Sequence, residues 1–118
     1  MGTKDIIKII EANPVFIATS SKEGKVKIIL VEGIKVKDGQ LMIADTSNSF
    51  KKIKENVIEN ESFSLIVLNS EKKGYKIEGF ADYLIEGDEL EFVKSLEQNI
   101  DKEINGVFVF TPMDTEEI

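Results

Sequence analysis

Between Val15 and Phe110 much of the chain is short apolar runs and stretches that alternate apolar and polar residues, Lys25–Val36 and Tyr75–Ile85 among them, broken at Gly24, Gly33, Gly39, Gly74 and Gly79. A period of two puts alternate side chains on opposite faces of a strand, so one face is buried and the other stays wet. Runs this short, punctuated by glycine, cannot continue as helices. The chain must therefore be built mainly of strands.

The first segment is different. Thr3 to Ala12 reads as a helix with Asp5 in its first turn and Ile6, Ile7 and Ile10 on one face. Asn13-Pro14 ends it, because the residue before proline is pushed out of the helical region. Val15–Thr19 then reads as a strand and Ser20–Gly24 as a turn. Lys25–Val36 reads as one longer strand that Gly33 bends or bulges. Asp38-Gly39 is a hairpin signal, and Leu41–Ala44 is the returning strand.

Phe50–Ile58 reads as a helix with Phe50, Ile53 and Val57 inward. Phe63–Leu68 is a central strand, Tyr75–Ile85 a strand with a bulge at Gly79, Glu89–Asn99 a helix, and Val107–Phe110 a last strand. Nothing in Pro112–Ile118 marks an element beyond a solvated acidic tail. The expectation is a mainly β chain of six strands and three short helices. Uneven strands with internal glycines favour a small closed or half-closed barrel with Greek-key-like connections over an open sheet.

Composition narrows the chemistry. The 118 residues fit one domain, residues 1–118, and 42% apolar with 31% charged residues suits a packed core and not a disordered chain. The chain has no cysteine and no histidine. That removes disulfides, thiol nucleophiles, imidazole bases and the usual zinc and iron–sulfur ligands. No spaced carboxylate cluster suggests a metal. Redox or acid–base chemistry would have to be carried by a bound cofactor, and no catalytic side chain can be named. Fifteen basic against 22 acidic residues leave a net charge of −7, which disfavours nucleic acid and membrane surfaces as partners. No apolar run is long enough to span a bilayer, and the start is unlike a signal peptide. The cytoplasm is the expected compartment.

The segment Thr46-Ser47-Asn48-Ser49-Phe50-Lys51-Lys52-Ile53-Lys54 stands out. Hydroxyl side chains lead into a helix whose first turn carries lysines. A helix N-terminus bears partial positive charge, so lysine there is unfavourable by a few tenths of a kcal/mol. A docked anion reverses the sign, and free N–H groups, hydroxyls and ammonium groups together make a phosphate cradle. The plainer reading is that the lysines are the wet face of an amphipathic helix and Ser47 or Ser49 a simple N-cap. Glu32 beside Gly33, Tyr75, and the Asp82 and Glu86 pair are weaker candidates, each as readily explained by exposure or strand packing.

In this order the residues resemble the pyridoxamine 5'-phosphate oxidase-like FMN-binding split-barrel family, especially its small single-domain members. The likeness is carried by Pro14–Thr19 with Glu23-Gly24, by Asp38-Gly39 closing with Leu41–Asp45, by Phe50–Val57 leading to Phe63-Ser64-Leu65, and by Gly74–Ala81. It spans roughly residues 4 to 111. It implies a split barrel, a homodimer, and FMN held in clefts at the dimer interface. The phosphate would lie near Thr46, Ser47, Ser49, Lys51 and Lys52, and the ring along Ile29, Leu30 and Val31. Asn56 matches a helix asparagine whose role is cofactor contact or structure.

The chain also departs from the family. Ile53 stands where a threonine is common, no proline follows Gly24, and there is no histidine to hold pyridoxal phosphate. Oxidation of pyridoxamine phosphate is therefore not expected. The leading reading is an FMN-dependent oxidoreductase of unknown substrate. The alternatives are a non-enzymatic FMN-binding or electron-transfer protein, and a cofactor-free barrel that acts as an interaction module. Phe108, Phe110 and Met113 are open between two roles, closing the barrel or forming the dimer contact.

Overall fold

The computed structural model describes residues 3–46 and 50–118. Its elements are α1 (Thr3–Ala12), β1 (Val15–Ser20), β2 (Val26–Val31), β3 (Lys35–Lys37), β4 (Gln40–Asp45), α2 (Lys51–Asn60), β5 (Ser62–Leu68), β6 (Gly74–Leu84), α3 (Asp88–Ser95) and β7 (Gly106–Glu117), with a 3-10 turn at Glu97–Asn99. The strands form one sheet in the order β2-β1-β5-β6-β7-β4-β3, and each neighbouring pair is antiparallel.

Seven strands stand where six were expected. The extra one arises because Lys25–Val36 is two strands, not one bent strand. At Gly33 the backbone enters the left-handed region, with φ of +72°, and the chain leaves β2 for β3 at the opposite edge of the sheet. Four Cα steps from Val31 to Lys35 cover at most about 14 Å. The edges of a flat seven-stranded sheet would lie about 29 Å apart. The sheet is therefore strongly curled, although no ladder joins β2 to β3 among the described residues.

Local chemistry explains the turns. Lys37 pairs with Gln40, leaving Asp38-Gly39 as a two-residue hairpin loop, and both residues have positive φ. The register between β6 and β7 shifts at Glu78/Gly79. A side chain on Gly79 would run into the Thr111 carbonyl, so only glycine permits this approach. The segment after Phe110 is not a loose tail. It extends β7 alongside β6 as far as Tyr75↔Glu117.

The main core lies inside the curl. α1 contributes Ile6 and Ile10, α2 contributes Ile53 and Val57, and the sheet contributes Ile17, Leu65, Ile77, Phe108 and Phe110. Phe108 and Phe110 are buried, which assigns them to the core and not to an outer contact; Met113 is exposed. α3 covers the other face of β4 and β7 through Leu90 and Val93 packed with Met42, Val107 and Val109. Among the described residues no helix is long and apolar enough to cross a membrane.

The opposite face of β1, β2, β5 and β6 is open and apolar. Phe16 lies between Leu30 on β2 and Ile66 on β5 in one cross-strand row. The three are 51%, 56% and 40% exposed, and Ile28, Leu68 and Phe80 extend the surface.

Candidate functional site

Thr19 ends up buried on the inner face of β1, where its Oγ1 accepts a hydrogen bond of 3.2 Å from Asn56 Nδ2 of α2. Thr19 pairs with Lys27 across the ladder. Paired residues share a face, so Lys27 sits on the side of β2 that looks toward α2. Lys52, in the first turn of α2, faces it. A hollow of about 400 Å³ between them is lined by Lys25, Lys27, Lys52, Ser21 and Asn56 together with Glu23, Glu55 and Glu59.

The charges around this hollow matter more than its size. Lys25 lies 3.9 Å from Glu23 and Lys52 lies 3.1 Å from Glu55, and all four side chains are largely exposed. Exposed pairs contribute little, so both ammonium groups remain available to a stronger anion. Glu59 Oε1 accepts a 2.6 Å hydrogen bond from the Lys22 backbone N–H. Among the described residues Lys27 makes no salt bridge. Three lysines and three glutamates make the lining neutral, 3 − 3, in a chain of net charge −7. Helix α2 lends the hollow its flank, Lys52, Glu55, Asn56 and Glu59, and its first turn carries no acidic residue.

The residues expected from the sequence divide between places. Lys52 and Asn56 line the hollow, with the Asn56 amide engaged by Thr19. Lys51 is exposed on α2. Thr46 is elsewhere, half-buried in a narrow cleft of about 110 Å³ with Val31, Gly33, Phe50 and Asn99. Ile29 packs against the core, Leu30 points to the open outer face, and Val31 is buried. Strand alternation thus separates three residues that the sequence grouped as one wall. Ser47 and Ser49 lie outside the described residues.

The sequence reading missed Lys25, Lys27 and Ser21. Alternation in β2 puts Lys27 with Ile29, whose face the core claims, and that signal was available. A second hollow of about 420 Å³ lies on the outer face, lined by Ser20, Ser62, Ser64, Glu78, Phe80 and Met113 among others. Among the described residues no group of three His, Cys, Asp or Glu side chains is placed to hold a metal ion.

No family model matches the chain. An uncharacterized protein of Methanocaldococcus jannaschii is 33% identical over 99 residues, which are 81% of this chain and 65% of that protein. The chain thus spans a little under two thirds of that relative's length. HupZ of Group A Streptococcus superposes with a TM-score of 0.85 at 18% identity, covering 100% of this chain and 94% of that one. A candidate pyridoxamine 5'-phosphate oxidase of Lactobacillus delbrueckii gives 0.77 at 14% identity, covering 96% and 91%. An FMN-binding protein of Syntrophomonas wolfei gives 0.71 at 13% identity, covering 98% and 88%. At such identities the likeness is one of fold, and it is the fold of the family that the sequence resembles.

Proposed function

We propose that the chain is an FMN-binding split-barrel protein that acts as a homodimeric, cytoplasmic oxidoreductase, with the flavin at the dimer interface. The observation that carries the reading is the convergence of Lys25, Lys27 and Lys52 on one hollow. Ammonium groups from a strand and from a helix start, with the Ser21 hydroxyl beside them, are the donor set a phosphate monoester requires. Lys27 and Lys52 would hold the phosphate; Lys51 would add long-range attraction.

The flavin ring would lie along the outer edge of β2, which carries no ladder among the described residues. Its unpaired backbone groups suit the alternating donors and acceptors of a flavin. Bound flavin supplies hydride or single-electron exchange. The protein would bind, orient and shield it, since its sequence offers no imidazole or thiol. The outer row of Phe16, Leu30 and Ile66 supports the dimer, because an open apolar sheet face of this kind is a surface that a second copy can cover.

Addition of FMN to purified protein, followed by flavin fluorescence, tests the reading. Quenching that saturates at micromolar FMN and is lost in a Lys27→Ala/Lys52→Ala variant supports it. Unchanged fluorescence contradicts it.

A further inference from the structure

Tyr83 of β6 reaches across β7 to the end of β4. Its hydroxyl donates a 2.6 Å hydrogen bond to Oδ2 of Asp45, a carboxylate only 6% exposed. The crossing is possible because Gly106 of β7, the ladder partner of Asp45, has no side chain. A Cβ there would collide with the Tyr83 phenol. The neighbouring Asn105 N–H donates 3.0 Å to the Asp45 carbonyl, so the end of β4 is held through both side chain and backbone.

The same phenol grips the other side of the connection. Lys54 Nζ of α2 lies 4.8 Å from the Tyr83 ring centroid, within cation–π range. The ring also meets Phe108 edge-on at 4.9 Å, and Phe108 packs against Phe50 at 5.5 Å. One side chain thus touches the last residue of β4 and the first turn of α2.

We infer that the Tyr83–Asp45 pair is a positioning device. It fixes where α2 begins and thereby holds Lys52 opposite Lys27, which makes the site selective for phosphorylated flavin. The second part rests on the FMN reading; the first part does not. Without the hydroxyl, the buried carboxylate loses its donor and the end of β4 is free to shift toward water. Tyr83 itself acts only through the helix start and touches no ligand.

The test is Tyr83→Phe, which keeps the ring, the Lys54 contact and the Phe108 contact while removing the hydroxyl. Amide hydrogen exchange is followed without flavin at Glu55 and Asn56, whose N–H groups have intrahelical acceptors in the first turn of α2. Exchange at these two sites should rise about tenfold, while Leu65 and Ile77 in the sheet stay as in wild type. FMN affinity should fall about tenfold, the size of one lost positioning contact, while riboflavin affinity holds. Unchanged exchange at Glu55 and Asn56 overturns the inference, as does an equal loss for both flavins. If the wild type binds no FMN, the flavin reading fails and the exchange arm still decides whether the anchor exists.

Discussion

Lys27 on β2 and Lys52 on α2 face each other across a single hollow, although 25 residues separate them in sequence. What brings them together is the docking of α2 on the strand pair, by the buried Ile53 and Val57 and by hydrogen bonds from Asn56 to Thr19 and from Asn60 to Ser20. The first turn of the helix supplies one ammonium group and the strand another, which makes no ion pair among the described residues, and both line the same space.

This pairing predicts an order among lysine variants. Lys27→Ala and Lys52→Ala should each weaken FMN binding by about tenfold or more, since each removes a charge-assisted hydrogen bond. Lys51→Ala should have a smaller effect, because Lys51 is exposed on α2 and acts only at longer range. Riboflavin binding should respond to none of them. Isothermal titration with both flavins checks the order.

Asn56→Ala should destabilise the fold by about 1–3 kcal/mol, because it leaves the buried Thr19 hydroxyl without its donor and opens a small void. Urea unfolding measures this directly. Any loss of FMN affinity in the variant should accompany the fall in stability, in contrast to the lysine variants, which are expected to unfold like the wild type.

Tyr83 predicts a pH dependence. Partial burial, and then its hydrogen bond to the Asp45 carboxylate, hold the phenol well above its ordinary range. The unfolded chain therefore loses this proton first as pH rises. The stabilisation is complete below about pH 10, the ordinary tyrosine value, and fades as pH climbs toward the folded value. Wild type should lose more stability than Tyr83→Phe between about pH 9.5 and 11 in paired urea titrations. Parallel curves would contradict the buried bond.

A charge on the outer face should separate the copies. Phe16→Glu places a carboxylate in the middle of the Leu30 and Ile66 row without touching the core. Light scattering should report a dimer for wild type and a monomer for the variant, with FMN affinity reduced because the ring loses its second wall. A wild-type monomer that binds FMN tightly would contradict an interfacial site.

Much of this architecture was legible where local chemistry decides it. The 3.6 period of Ile6 and Ile10, the Pro14 stop, the Asp38-Gly39 hairpin and the Gly79 bulge each act within a few residues. Gly33 reads locally as a bend, because its consequence, sending β3 to the far edge of the sheet, depends on the β3–β4 hairpin pairing with distant β7. The end of β7 was missed because Asp114–Glu117 are all exposed and carry no alternation; the ladder to β6 alone makes them a strand. In the site, the lysines of α2 announced themselves by their unfavourable place at a helix start. Lys27 did not, since a lysine on a strand acquires meaning only when a helix packs beside it. Thr46 shows the converse: nearness in sequence to Lys52 does not make it a neighbour in the hollow, and it lines a separate cleft.

The central claim is that this hollow takes the phosphate of FMN, and a competition titration tests it most directly. Wild-type protein is titrated with FMN and with riboflavin under identical conditions, and flavin fluorescence reports binding. The account predicts saturation at one FMN per chain with micromolar or tighter affinity, riboflavin weaker by about tenfold or more, and loss of that preference in Lys27→Ala/Lys52→Ala. Equal affinity for the two flavins in wild type, or no binding of either, would contradict it.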